Sequence, residues 1–257
     1  MLMTTENGIR LSCHDHGDGA PVPMLTGSGH RAPGPVRAPH QVPAPWAAGF
    51  RATTLNNHGI WPSDDGADGL TVDDLVADVA APTGRLGVAP SRAVGTAMGA
   101  RTARKSAPAC PGPLDADALM AACGGSGLVR RMLAAGKAER TGRGIGLPPD
   151  HLATVRAVPG PGPATLAGDD LASDWLDPFA AVERRGPGVR AQPELSASPD
   201  RHEAHRAVTV PCHVVPLERD RVAPPATGRE PAAAILGAAH RTPPDGCGHR
   251  PSSTRRP

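Results

Sequence analysis

Two glycines four residues apart, Gly95 and Gly99, bracket Ala97 in the run Val94-Gly95-Thr96-Ala97-Met98-Gly99-Ala100. This spacing constrains the fold more than any other feature of the chain. It is the pattern G-x-S-x-G of a strand that turns sharply into a helix, with alanine where serine stands. Glycines flank the apex of such an elbow because the backbone is strained and neighbouring side chains would collide. The turn presents its central residue above the edge of a sheet. Here that residue is Ala97, which has no lone pair to attack with.

The rest of the chain supplies the alternation that such an elbow needs. Residues 7–12, 21–26 and 49–55 read as strands, and Pro23 is an awkward member of the second. Residues 71–79 make the clearest helix. Thr71 fits the N-cap, Asp73 and Asp74 favour the first turn, and Val72, Leu75, Val76 and Val79 share an apolar face. Pro82 and Gly84 are expected to end that helix early. Residues 91–94 form the strand into the elbow and 100–107 the helix after it, truncated by Pro108, Pro111 and Pro113. Residues 116–122 read as a further strand.

From residue 126 to about 207 the pattern becomes helical. Residues 128–140 and 149–158 have helical periodicity, and Pro159-Gly160-Pro161-Gly162-Pro163 breaks it. Residues 169–182 carry Trp175 and Phe179 at i, i+4, on one helical face. Residues 208–217 return to a strand pattern, followed by a short helix over 232–239. The sum is an α/β chain with a mainly parallel sheet flanked by helices and an inserted helical cap. Its core spans 1–125 and 208–249, its cap 126–207, and 250–257 reads as a disordered tail.

These motifs together resemble the α/β-hydrolase superfamily, in particular small bacterial lid-containing hydrolases of the prolyl-iminopeptidase and esterase type. The resemblance covers residues 7–249. It maps the elbow to Gly95-Thr96-Ala97-Met98-Gly99, with Ala97 in the nucleophile's place. In the family order Ser…Asp…His, Asp220 in Glu218-Arg219-Asp220-Arg221 looks like the acid, and His249 in Gly246-Cys247-Gly248-His249 like the base. Gly27-Ser28-Gly29-His30 resembles the oxyanion loop. The implied donors are the backbone N–H groups of Met98 and of Ser28 or Gly29. Asn56-Asn57-His58-Gly59-Ile60-Trp61-Pro62-Ser63 resembles the family's D-x-R-G-x-G-x-S turn, with Asn56, His58 and Trp61 at three departing positions. The resemblance implies hydrolysis of esters or amides. Trp175 and Phe179 either pack the cap's core or line an apolar acyl pocket.

Composition narrows the partners. A formal net charge of +2 on 257 residues does not call for nucleic acid, and no apolar run approaches the length of a membrane span. The N-terminus lacks the basic-then-apolar pattern of an export signal, so the cytoplasm is the expected compartment. The five cysteines are widely spaced and read as reduced thiols. Cys13-His14-Asp15-His16 and His202-Glu203-Ala204-His205 match no metal pattern and read as solvated surface histidines, so no metal or cofactor is expected. The expected ligand is a small apolar or acyl-type molecule.

The chain holds 31 prolines and 31 glycines but only 2% aromatic residues, which makes for a thin core. Three readings follow. The chain is a hydrolase-type protein impaired at its nucleophile, a non-catalytic small-molecule binder on the same fold, or an altered hydrolase sequence that folds poorly.

Overall fold

The computed structural model describes residues 2–5, 7–29, 49–65, 69–85, 92–106, 116–120, 127–180, 187–197 and 205–240. The strands are β1 (Leu2–Thr4), β2 (Arg10–His16), β3 (Pro21–Leu25), β4 (Arg51–Leu55), β5 (Arg92–Thr96), β6 (Ala116–Met120), β7 (Cys212–Val215) and β8 (Ala239–His240). They form one sheet in the order β1-β2-β4-β3-β5-β6-β7-β8. β2 runs antiparallel to both β1 and β4, and the pairings from β4 through β8 are parallel.

The sheet order changes direction at β3, which lies between β4 and β5. Met24 and Leu25 of β3 stand opposite Val94 and Gly95 of β5. The loop leaving β3 therefore emerges beside the elbow leaving β5. In open α/β sheets such a switch point, at the carboxyl ends of the strands, is where ligands are held.

The helices are α1 (Val72–Arg85), α2 (Met98–Ser106), α3 (Leu128–Gly142), α4 (Pro149–Ala157), α5 (Pro163–Ala167), α6 (Asp169–Ala180), α7 (Pro187–Ala197) and α8 (Pro225–Ala234). α1 opens as its sequence dictates. The Asp74 N–H donates to Thr71 Oγ1 at 3.2 Å, and the Thr71 N–H donates back to the Asp74 carboxylate at 2.7 Å. This is a reciprocal cap. Val72, Leu75, Val76 and Val79 are all buried, so the apolar face is the face that packs.

The main core joins Leu11, Leu25, Leu55, Ala93, Leu119 and Val214 on one face of the sheet with Val79, Ala103 and Ile235 packed over them, and Ala52 and Met24 form a small cluster on the other face. It is built from aliphatic side chains, and no aromatic ring is among the buried hydrophobic residues described. α3 to α7 all fall between β6 and β7, which are hydrogen-bonded neighbours. Within that insertion α3 packs on α7, and α4 packs on α6.

Several boundaries differ from the sequence reading. α1 does not end at Pro82 but runs to Arg85. A proline so near a C-terminus removes a single i→i−4 bond, from the last turns only. α2 starts at Met98, two residues early, because the elbow feeds the helix directly. The first strand lies at Arg10–His16, with β1 before it. The last helix covers Pro225–Ala234 instead of 232–239, opened by a proline in its first turn, and residues 239–240 form β8. α7 was not anticipated, since Pro193 sits inside it. The expected breaker holds, and its Pro163 opens α5. Pro108, Pro111, Pro113 and the tail from 250 lie outside the described residues. Among the described residues no helix is long and apolar enough to cross a membrane.

Candidate functional site at the β5–α2 elbow

Ala97 has φ 55°, and it is the non-glycine residue of positive φ among those described. It separates the last residue of β5, Thr96, from the first residue of α2, Met98. Its carbonyl accepts the N–H groups of Ala100 at 3.1 Å and Arg101 at 3.4 Å, which closes the turn into the helix. Both flanking glycines are obligatory. A Cβ on Gly95 would stand 2.6 Å from Ala100 Cα and overlap the Gly99 carbonyl. A Cβ on Gly99 would overlap the Leu25 carbonyl and stand 2.9 Å from the Thr26 carbonyl oxygen. The second clash explains how the elbow comes to sit against the end of β3.

The loop after β3 is held by three side chains from three segments. Asn57 Nδ2 donates to the Thr26 carbonyl at 3.3 Å. Lys137 Nζ, on α3, donates to the Ser28 carbonyl at 3.4 Å. Gln192 Oε1, on α7, accepts the Gly29 N–H at 2.7 Å. Gly29 has φ +70°, and a Cβ there would run into the Lys137 ammonium. The Ser28 hydroxyl is buried and makes no hydrogen bond among the described residues. Gln192 is wholly buried, and its Nε2 donates to the His58 carbonyl at 2.6 Å. Sequence reasoning found the loop but missed all three anchors. No local signal in the sequence marks Gln192, whose partners are distant in the chain.

The turn after β4 is built from residues 56–63. Ser63 Oγ donates to the Asn56 carbonyl at 2.8 Å and accepts the Ser12 N–H at 2.9 Å. The serine shared with the family turn thus ties this segment to β2. His58 points toward Asp78 of α1, with Nδ1 and Oδ2 3.6 Å apart, too far for a hydrogen bond. Burial disfavours charge on both. It lowers the His58 imidazole below its ordinary value and raises the Asp78 carboxyl to about 7. The nearby main chain of His58 partly opposes that rise.

Asp220 is buried in the loop after β7. Its Oδ1 accepts the N–H groups of Val222 at 2.8 Å and Ala223 at 2.7 Å, which fixes the carboxylate. His249 lies outside the described residues, so its pairing with Asp220 does too. Trp175 and Phe179 pack together on α6, ring centroids 6.4 Å apart and planes 35° inclined. Arg156 of α4 donates to the Phe179 carbonyl at 3.1 Å. The Arg156 contact belongs to the packing of α4 on α6. His205 is not the solvated surface histidine its sequence context suggested: it is fully buried, with Nε2 2.8 Å from the Arg104 guanidinium, a polar partner that lets the imidazole leave water. Cys13 is a buried thiol, and burial pushes it up to about 11. Asp15, two residues on, is bound to Arg51 and Thr53.

The chain is 35% identical over 242 residues to the protein named putative non-heme bromoperoxidase BpoC of Mycobacterium tuberculosis, spanning 94% of this chain and 91% of that one. The crystal structure of the protein of that name from strain H37Rv superposes with a TM-score of 0.82 at 34% identity, over 93% of this chain and 88% of its own. An enol-lactonase from Burkholderia xenovorans LB400 superposes with a TM-score of 0.81 at 21% identity, over 96% and 92% of the two chains. At that identity the likeness shows the fold alone. No family model matches the chain. The strand order, the glycine-bracketed elbow and a likeness that runs almost end to end lead to one assignment: the chain belongs to the α/β-hydrolase superfamily.

Proposed function

We propose that this chain carries an acyl-hydrolase type of site, built for esters or amides, whose nucleophile position is vacant at Ala97. Catalysis by the serine route is impaired in consequence. The observation that carries the reading is φ 55° at Ala97 between two glycines that tolerate no side chain. An L-residue is worse in that conformation by about 1–2 kcal/mol, so the turn is maintained against its own strain. A conformation of that kind collects where a group has to be presented.

In this reading the main-chain N–H groups of Met98 and Ser28 face a developing oxyanion. Gly29 is the weaker candidate of the loop because its N–H is engaged by Gln192. Asp220 is the acid that orients the base, and His249 is that base, accepting a proton from the attacking group and returning it to the leaving group. Residues 126–207 act as the cap, with Trp175 and Phe179 facing a small apolar or acyl-type ligand. Main-chain donors survive the loss of a side chain, whereas the attacking oxygen does not. Removing the serine of such a triad lowers kcat on the order of 10⁶-fold and leaves roughly 10³–10⁴ over water.

The test is Ala97→Ser. Hydrolysis of short-chain aryl esters is expected to rise by several decades and to fall again in Ala97→Ser/His249→Gln. A folded Ala97→Ser protein with no gain at any acyl chain length overturns the reading. Because the relative is named a non-heme bromoperoxidase, bromide oxidation by peroxide is the second assay to run on the same variant. The same strained Ala97 favours one other reading, a binder that holds acyl-type molecules without cleaving them. Titration calorimetry of the natural chain with short carboxylic acids separates the two. Heat of binding without turnover in Ala97→Ser supports the binder.

A further inference from the structure

The inserted helix α7 reaches the elbow region through Leu195, whose carbonyl accepts from Arg101 of α2 at 3.1 Å, and through its first turn. Gly188, in its first turn, lies against Gly59, which has φ +83°. A Cβ on Gly59 would fall 2.5 Å from Gly188 Cα, and one on Gly188 would overlap Gly59 Cα. Only paired glycines let the two main chains approach so closely. Gln192 follows Gly188 by four residues and so projects from the same face.

That side chain is completely buried and bridges two loops. Oε1 accepts from Gly29 at 2.7 Å, and Nε2 donates to the His58 carbonyl at 2.6 Å. With an N–H on one side and a carbonyl on the other, the carboxamide has a single satisfied orientation. Gly29 lies in the loop after β3, and His58 lies in the turn after β4. Two hydrogen bonds thus join both loops to α7 through one side chain.

We propose that Gln192 is the positioning residue for the oxyanion loop. It commits the Gly29 N–H, thereby fixes the Ser28–Gly29 peptide that adjoins the one carrying the Ser28 N–H, and makes the loop's geometry depend on the seating of α7. The proposal rests on the acyl-hydrolase reading for its effect on rate, though not for its effect on structure.

Two readouts keep those apart. In the natural chain, Gln192→Leu is expected to speed exchange of the Gly29 amide hydrogen at least 10-fold, with the amides of β5 unchanged. In the Ala97→Ser background, the same change is expected to lower kcat for aryl esters by about 10²-fold, the scale of losing one oxyanion donor, with KM within about twofold. If Ala97→Ser is itself inactive, the hydrolase reading fails while the Gly29 exchange still judges Gln192. Should Gln192→Leu not fold, Gln192→Glu replaces it at nearly the same shape. Its carboxylate still accepts from Gly29 but cannot donate to His58, so Gly29 stays protected and kcat falls as the acid ionises with rising pH. Unchanged Gly29 exchange in folded Gln192→Leu, or a Gln192→Glu profile identical to that of the parent across pH, overturns the proposal.

Discussion

Ala97 sits at φ 55°, where its methyl group is a liability of about 1–2 kcal/mol. Glycine is free of that penalty but loses about 0.5–1 kcal/mol through the flexibility it gives the unfolded chain. Ala97→Gly is therefore expected to stabilise the fold slightly, by up to about 1 kcal/mol, the opposite sign to the same change inside a helix. Denaturant unfolding checks this, and a clear loss of stability would mean that the methyl group makes contacts of its own. Asp78 offers a second test at this scale. Its folded value of about 7 lies above the ordinary 3.8, so the fold favours the protonated carboxyl. That contribution is complete below about 3.8 and is lost as pH rises toward about 7. His58 works in the other direction. Its lowered value favours neutral imidazole, a contribution complete above 6.5 and lost as pH falls. Asp78→Asn removes only the first effect and keeps nearly the same shape. Its melting temperature relative to the natural chain is expected to climb between pH 5 and pH 8. A constant difference across that range would show that Asp78 does not titrate there.

Among the elements, the elbow is where sequence and structure agree most closely, because glycines report backbone collisions directly. Gly95 and Gly99 read from the chain as partners in a tight turn, and each is excluded from carrying a Cβ by main-chain atoms. Gly99→Ala should cost about 3 kcal/mol or more, since the obstructing group is the Leu25 carbonyl of a central strand and cannot swing aside. A loss under about 1 kcal/mol in denaturant unfolding would show that β3 can shift. α1 was legible for a different reason, its capping residues and apolar stripe being local. The prolines misled. Pro82 and Pro193 both lie within helices, since one lost hydrogen bond in a packed helix is outweighed by tertiary burial. Gln192 was not legible at all. Its two partners are 163 and 134 residues away, and nothing local marks a buried carboxamide that bridges main-chain groups.

For the molecule as a whole, the alternation of strands and helices was enough to give the sheet, and the insertion between β6 and β7 falls where the helical stretch was read. Stability is the open quantity. The described core is aliphatic, Ala-rich and without a buried aromatic ring, and Pro23 stands in a strand flanked on both sides. Pro23 precedes by one residue the start of pairing with β5, which limits the damage to that ladder. We expect a melting temperature below about 65 °C, with the β5 amides the most protected, and calorimetry reads both the midpoint and the cooperativity. The central claim is that the elbow is geometrically intact and chemically vacant. Ala97→Ser restores one oxygen at the apex, and the initial rate of short-chain aryl ester hydrolysis measures whether everything around that oxygen is in place. The account predicts a gain of several decades over the natural chain, dependent on His249. A folded Ala97→Ser protein no faster than the natural chain would contradict it.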